Sequence, residues 1–148
     1  MNDLLQFSEW HRLDSNGSPA PEVQGVYVVR SVVNGTARAI QCPAGVDTDG
    51  ILYIGSTASS GTLKSRIGNL LGNRNNPKLY GHHCFSKRYY EYRAKLVPLF
   101  GKYDDLEVAW RMTDRPANEE RELCRQYYAA FFCLPPLNWR FAGSDTAT

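Results

Sequence analysis

Long apolar runs are missing from the sequence. No stretch approaches the ~20 apolar residues that a membrane-spanning helix needs. The N-terminus carries Asp3 and Glu9 and lacks the basic start and apolar stretch of a secretory signal. We therefore expect a cytoplasmic protein that has no membrane partner.

Closely spaced cysteines are also missing. The chain has four cysteines: Cys42, Cys84, Cys124 and Cys133. They form no Cys-x-x-Cys pair and do not have zinc-finger spacing, so buried free thiols are the favoured interpretation. A zinc site that combines Cys42 and Cys84 with His82 or His83 is the alternative.

Internal repeats and low-complexity tracts are absent, and one domain is the simplest organisation for 148 residues. A composition of 43% hydrophobic and 22% charged residues argues against a disordered chain. We expect an N-terminal extension at 1–22, one folded domain at 23–142 and a disordered tail at 143–148.

Positive charge is concentrated in one segment, although the net charge of the chain is only +2. Residues 64–95 carry eight Lys or Arg and one acid, Glu91, which gives this segment a charge of +7. Residues 1–63 have a charge of -3, and residues 96–148 have a charge of -2. Such clustering marks a nucleic-acid-binding surface better than total charge does. An ordinary solvated face is the alternative.

Three segments have the residue pattern of strands. Residues 25–33 are β-branched and aromatic, 51–55 form a short apolar run, and 106–112 alternate apolar with polar residues. Asn34-Gly35 predicts a hairpin turn after the first segment, and 36–41 can return as a further strand. Residues 1–22 have the character of an appended helix or turn followed by a loop.

Three other segments have helical spacing. Thr62 can cap a first helix, and Pro116 lies in the first turn of a last helix that runs to about Phe132. A middle helix is predicted by an apolar stripe, and Pro98 would end or kink it near its last turn. The stripe consists of Phe85, Tyr89, Tyr92, Leu96 and Leu99. The order of elements predicts an α+β domain with helices flanking a small, mostly antiparallel sheet of three or four strands.

Phosphodiester hydrolysis can use several of the groups on these elements. A carboxylate can hold a divalent cation that acts as a Lewis acid on the phosphate, and a guanidinium such as that of Arg66 can stabilise charge on its oxygens. Tyr27 and Tyr53 lie on separate strands, and a nearby cation would lower the pKa of a tyrosine. Each residue alone has an ordinary alternative, as a core aromatic or a helix-surface charge.

Helical geometry selects one of three neighbouring glutamates. One stripe of the last helix consists of Ala117, Glu120, Cys124, Tyr127 and Phe131. Glu120 is the acid in this apolar stripe, where a carboxylate is costly unless it is paired or bound to a cation. Glu122 shares its face with Arg125, and Glu119 lies within reach of Arg115, so both have ordinary surface roles.

In chain order, these residues resemble the motif series of the GIY-YIG nucleases. The matching residues are Gly25-Val26-Tyr27, Tyr53-Ile54-Gly55, Arg66, Glu120 and Asn138. The run 52–57 followed by a helical arginine is the most specific part, and 134–138 resembles the family's closing segment. The resemblance covers residues 25–138 and implies a GIY-YIG nuclease-like fold for the domain at 23–142.

The resemblance also implies an activity, namely a metal-dependent endonuclease that hydrolyses the phosphodiester bonds of DNA, with RNA as an open alternative. It implies Mg²⁺ or Mn²⁺ bound by Glu120. Tyr27 would help to activate or receive the attacking water, and Tyr53 would position the phosphate or the water. Arg66 would stabilise the transition state, and Asn138 would brace the site.

Two features depart from the family's pattern. Tyr27 and Tyr53 are far apart, so residues 32–50 are interpreted as an insertion. Many members have a histidine or tyrosine four residues after the arginine, where this chain has Leu70. Candidate replacements for this auxiliary base lie shortly downstream: Tyr80, His82 and His83.

With this resemblance, the basic segment is interpreted as a surface that holds the nucleic acid. Its candidate phosphate contacts are Lys64, Lys87, Arg88 and Arg93. Tyr90 is the candidate exposed ring. Target recognition would come from loops, from a homo-oligomer or from a partner protein.

Two alternatives from other functional classes stay open. A non-catalytic nucleic-acid-binding module could keep the fold and retain the five motif residues as relics. A thiol enzyme could use Cys84 beside His83, although adjacent residues rarely form a nucleophile and base pair.

Overall fold

The described part of the chain comprises residues 6–14, 19–57, 61–72 and 84–138 of a computed structural model, and it is an α+β domain built on an antiparallel sheet. Its strands are β1 (His11–Arg12), β2 (Gly25–Arg30), β3 (Val32–Val33), β4 (Thr36–Ala37), β5 (Ile40–Cys42), β6 (Gly45–Asp47), β7 (Ile51–Ser56) and β8 (Glu107–Met112). Its helices are α1 (Leu63–Gly72), α2 (Cys84–Glu91), α3 (Arg93–Phe100) and α4 (Pro116–Phe131), with a 3₁₀ turn at Tyr103–Asp105. The predicted α+β class with a small antiparallel sheet flanked by helices is confirmed.

The main sheet has four strands in the order β1-β8-β2-β7. In its interior, Tyr27 of β2 lies opposite Gly55 of β7 and Trp110 of β8. The register of β2 and β7 shifts after Val29, which leaves Leu52 as an extra residue on β7. This irregularity turns Leu52 and Tyr53 towards the same hydrophobic cluster.

Helices cover both faces of the main sheet. On one face, Tyr27 and Val29 pack with Leu63 and Ile67 of α1 and with Phe85 of α2. On the other face, the alternate β2 residues pack against α4; this cluster includes Val26, Val28, Ile54, Leu123 and Tyr127. The period-two alternation of a strand therefore divides β2 between two cores.

The described part of the N-terminal extension contains a strand in place of the predicted helix or turn. His11 and Arg12 instead form the edge strand β1, antiparallel to β8, and His11 stacks on Trp110 with a ring-centroid distance of 4.8 Å. Ser8 N donates to Trp110 O at 2.8 Å, and Leu13 N donates to Leu106 O at 2.9 Å. The segment becomes a strand because the edge of β8 supplies its hydrogen-bond partners.

The predicted hairpin turn at Asn34-Gly35 is confirmed. Both residues have positive φ values, 51° and 76°, as a type I′ turn requires. The prediction of one return strand at 36–41 is wrong, because β4 ends at Ala37 and β5 pairs with β6 instead. Residues 32–47, within the predicted insertion, therefore form two short hairpins outside the main sheet.

The middle helix is interrupted at Tyr92, whose φ of -106° and ψ of 19° separate α2 from α3. Phe85 and Tyr89 are buried as the stripe predicted, but Tyr92 is 47% exposed and Leu99 is 59% exposed. Pro98 does not cause the interruption and lies inside α3. Three side chains donate hydrogen bonds to backbone carbonyls at the end of α3 and at the next residue. Arg38 donates to Leu99 O, Ser31 to Phe100 O and Tyr89 to Gly101 O. These tertiary bonds fix the end of α3, and the bond from Tyr89 ties it to α2.

The two other helices begin as predicted. Thr62 Oγ1 accepts a hydrogen bond from Ser65 N at 3.2 Å, so Thr62 caps α1. α4 begins at Pro116 and ends before Phe132, whose φ is 56°. No helix within the described ranges is long and apolar enough to cross a membrane.

Some predictions concern residues at the limits of the described structure. Cys42, Cys124 and Cys133 are free thiols, and the first two are buried. Cys84 begins α2, but its side chain lies outside the described part. The predicted tail at 143–148 and the candidate bases Tyr80, His82 and His83 also lie outside the described residues.

Candidate active site

Gly55 is the point on β7 where the two tyrosine rings meet. The rings of Tyr27 and Tyr53 have their centroids 6.1 Å apart and are tilted by 37°. A methyl group at Gly55 would lie 2.5 Å from the hydroxyl oxygen of Tyr27 and 2.7 Å from the ring of Tyr53. The glycine is required because the tyrosines occupy the space that a side chain would fill.

Gly25 is required by packing of the same kind at the start of β2. A methyl group there would collide with the carbonyl oxygen of Arg111 and would lie 2.5 Å from Cδ1 of Leu63. Gly25 N donates to Thr57 Oγ1 at 3.2 Å, and Thr57 N donates to Gly25 O at 3.0 Å. These bonds join the start of β2 to the end of β7 beside the tyrosines.

Glu120 reaches the same strand end from α4. The hydroxyl of Ser56, the residue after Gly55, donates a hydrogen bond to Oε2 of Glu120. Burial raises the pKa of Glu120 above the ordinary glutamate value, while the bond from Ser56 and the charge of Arg66 partly oppose that rise. The carboxylate is therefore oriented by Ser56, and its charge is incompletely compensated.

Arg66 approaches the site from the helix on the other face of the sheet. It lies in the first turn of α1 and is half-buried, and its N–H bonds to the carbonyl of Thr62. Its electrostatic effect on Glu120 shows that α1 and α4 bring opposite charges to the end of β7.

Asn138 braces β7 from the C-terminal segment. Its Oδ1 accepts a hydrogen bond from Ile54 N at 2.8 Å, and its Nδ2 donates to Ile54 O at 2.9 Å. Leu137 N also donates to Leu52 O at 2.9 Å. These bonds satisfy backbone groups on the outer side of an edge strand and fix the segment that carries Tyr53 and Gly55.

No family model, curated protein or solved structure matches the chain. The interpretation of the site therefore rests on the sequence motifs and on geometry.

A divalent cation suits Glu120 on chemical grounds. No group of three or more His, Cys, Asp or Glu within the described ranges could form a full protein cage for a metal. Magnesium does not need one, because it commonly binds one or two carboxylates and keeps water and substrate phosphate oxygens as its other ligands. A half-buried carboxylate with a raised pKa fits such a cation, since a positive charge would offset its desolvation.

The neighbouring glutamates have other partners. Glu119 does not pair with Arg115 as predicted; its Oε2 instead accepts from Arg111 Nη2 at 2.6 Å, because β8 places that arginine beside the first turn of α4. Glu122 pairs with Arg125 at 3.6 Å on the exposed face, as predicted.

The predicted phosphate-binding residues differ in their surroundings. Lys87 and Arg93 are exposed, and Lys64 is exposed but forms an ion pair with Glu22 at 3.1 Å. Arg88 is half-buried, and its Nη1 donates to Leu137 O at 2.7 Å. The guanidinium of Arg88 therefore supports the segment that carries Asn138, and its contact with phosphate stays a prediction.

Ser56 is the site residue that the sequence did not single out. Its position directly after the Tyr-Ile-Gly triplet was the available signal. Nothing in the sequence indicated that α4 would bring Glu120 to this hydroxyl, because the contact joins residues 64 positions apart.

Proposed function

We propose that the chain is a metal-dependent endonuclease of the GIY-YIG type that hydrolyses phosphodiester bonds in DNA. One observation carries the proposal: Tyr27, Glu120 and Asn138, from separate parts of the chain, all contact the segment of β7 that carries Tyr53. Tyr27 and Tyr53 lie over Gly55, Glu120 accepts the bond from Ser56, and Asn138 holds Ile54. Arg66 places a positive charge close enough to act on Glu120.

The proposed chemistry is attack of water on phosphorus with departure of an ester oxygen. A divalent cation held by Glu120 would supply Lewis acidity to the phosphate. The guanidinium of Arg66 would stabilise negative charge on the phosphate oxygens in the transition state. Tyr27 would take part in proton transfer from the attacking water, and Tyr53 would orient the water or the phosphate.

The hydrogen bonds of Ser56 and Asn138 indicate that these two residues position groups of the site. Ser56 and Asn138 contact Glu120 and the Ile54 backbone, respectively, and they act by fixing groups rather than by chemistry. Precise positioning matters because a displacement of about 1 Å at a reacting group can cost about 100-fold in rate.

A cleavage assay with purified protein tests the proposal. Plasmid, single-stranded DNA and RNA are incubated with Mg²⁺, with Mn²⁺ and with a chelator. We expect cutting of DNA with either cation and none with the chelator. Persistent cutting in the chelator would contradict the metal mechanism, and no cutting under any condition would favour a non-catalytic nucleic-acid-binding module.

Three glutamate variants test the site itself. Glu120→Ala should abolish cleavage while DNA binding and Tm stay close to those of the wild type. Glu122→Ala should cut within about tenfold of the wild type, since single changes on an exposed face act weakly. Glu119→Ala should also cut within about tenfold, because Glu119 is bonded to Arg111 rather than to Ser56, but it should lower Tm because Arg111 loses a partly buried partner. An inactive Glu119→Ala beside an active Glu120→Ala would overturn the site.

A further inference from the structure

The interruption between α2 and α3 forms an exposed corner that carries both aromatic and basic side chains. Tyr92 is 47% exposed at the interruption. Lys87, Arg93 and Lys95 are exposed on the flanking helices, and Glu91 is the acid among residues 84–100. We refer to residues 87–95 as the α2–α3 corner.

Tyr90 provides a second ring at the corner, and the guanidinium of Arg93 packs on it. The guanidinium carbon of Arg93 lies 4.3 Å from the centre of the Tyr90 ring, and Arg93 Nη1 donates to Tyr90 O at 2.7 Å. These two contacts fix the exposed guanidinium of Arg93 against the half-buried ring of Tyr90, which was predicted to be the exposed ring. Flat groups of this kind are suitable stacking surfaces for nucleobases.

We propose that the α2–α3 corner binds an unpaired nucleic-acid strand, with a base stacked on Tyr92 and phosphates held by Lys87, Lys95 and Arg93. Phosphate contacts alone would suit a duplex or a single strand equally. An exposed tyrosine favours the single strand, because base faces are accessible only where bases are unstacked. Any base can stack, so this binding would be tolerant of sequence.

The corner is coupled to the candidate active site through α2. Phe85 of α2 packs on Tyr53 with a centroid distance of 5.4 Å, and Arg88 holds the carbonyl of Leu137 beside Asn138. Phe85 and Tyr92 are seven residues apart in sequence, which corresponds to roughly 10 Å along a helix. This inference rests on the proposed function for its substrate class: a polynucleotide with an unpaired segment near the cut.

Binding is measured with the full chain carrying Glu120→Ala, so that cleavage does not interfere. The probes are labelled dT20, labelled U20 and a 20-base-pair duplex, compared by fluorescence anisotropy at one salt concentration. We expect dT20 or U20 to bind more tightly than the duplex, and the tighter of the two identifies DNA or RNA as the source of the unpaired strand.

Tyr92→Leu removes the ring and keeps an apolar side chain. It should weaken binding of the single strand by about 5- to 100-fold, the range expected for loss of one stacked base, and change duplex binding less than about twofold. Tyr128→Leu is the matched control, since Tyr128 is 45% exposed on α4 beside Phe132. It should leave both affinities unchanged, and Tm shows whether each variant is folded.

Equal losses for duplex and single strand, or no loss in folded Tyr92→Leu, would overturn the inference. Tighter binding of the duplex than of either single strand, by the Glu120→Ala chain without further changes, would also overturn the inference. If the chain does not cleave DNA, the binding measurements still test this inference, because binding in the Glu120→Ala background does not depend on cleavage. Metal-dependent cutting with no preference for unpaired strands would reject this inference alone.

Discussion

At the scale of single residues, the two motif glycines show how a sequence pattern becomes a packing constraint. The sequence marks Gly55 only as the last residue of the Tyr-Ile-Gly triplet, and it does not show which groups pack against it. The structure assigns that role to the rings of Tyr27 and Tyr53, and it places Leu63 and Arg111 against Gly25. Gly55 and the two tyrosines therefore form one steric unit.

Gly55→Ala should displace at least one tyrosine, because its methyl group would lie 2.5 Å from the Tyr27 hydroxyl. We expect the free energy of unfolding to fall by about 1–3 kcal/mol, the usual cost of overpacking, and cleavage to fall about 100-fold. Gly45→Ala is the control, since nothing lies within 4 Å of its added methyl group. Urea unfolding and cleavage assays measure both effects, and wild-type cleavage by Gly55→Ala would contradict the steric argument.

The pKa of Glu120 leads to a prediction about stability and pH. Burial raises this pKa above the ordinary value of 4.5, so the folded state favours the neutral carboxyl. The stability linked to this group is full below pH 4.5 and is lost as the pH rises through the raised pKa. Glu120→Gln cannot ionise, and in a chelator it should therefore gain stability relative to the wild type between pH 5 and pH 8.

Urea unfolding of both proteins across this pH range provides the measurement. Added Mg²⁺ should reduce the difference at pH 8, because a cation that binds the folded carboxylate stabilises the wild type selectively. If the stability difference between the two proteins stayed constant from pH 4 to pH 8, burial would not raise the pKa of Glu120 in the folded state.

At the scale of elements, the insertion at 32–50 connects two helices to the main sheet. Near one end of it, Arg38 and the adjoining Ser31 donate to the last carbonyls of α3. At its other end, Asp47 is buried and accepts from the hydroxyl of Tyr127 on α4 at 2.9 Å, while Ala44 N donates to Phe131 O at 3.1 Å. The insertion therefore stabilises the positions of α3 and α4.

Tyr127→Phe tests this connection by removing one hydrogen bond to buried Asp47. The carboxylate keeps the N–H groups of Asp49 and Ile51 as donors, so we expect a loss of about 1–3 kcal/mol in the free energy of unfolding rather than complete unfolding. Tyr128→Phe, the exposed neighbour, should change that value by less than about 0.5 kcal/mol. Equal stability of the two variants in urea would mean that the Tyr127 bond is not needed to hold the insertion.

The sequence predicted those elements whose signals are local. The strand patterns, the Asn34-Gly35 turn, the Thr62 cap and Pro116 each act within a few residues, and the structure agrees with them. The sequence did not predict the edge strand β1 or the interruption at Tyr92, because these depend on partners distant in the chain. The site residues were selected by motif order, whereas the contact of Ser56 with Glu120 required the fold.

At the scale of the whole molecule, the described basic residues of 64–95 differ in their surroundings. Lys64 is paired with Glu22 at the surface, and Arg88 is bonded to the carbonyl of Leu137, so these two cations already have partners. Lys87, Arg93 and Lys95 remain exposed on α2 and α3. The charge of +7 counted along the sequence therefore overstates the charge that this surface offers to a polyanion.

The salt dependence of DNA binding tests which surface holds the phosphates. The double variant Lys87→Ala, Arg93→Ala should weaken binding to all sequences alike and reduce the slope of log K against log salt by about 2, since each lost phosphate contact removes about 0.9 on B-DNA. Arg121→Ala, Arg125→Ala removes the same charge from the exposed side of α4 and is the matched control. Both variants lose the same net charge, so general screening by salt affects them equally. Only a difference between their two slopes therefore shows which surface contacts the DNA. A reduced slope in the α4 variant with an unchanged slope in the other would place the DNA across α4, away from the α2–α3 corner.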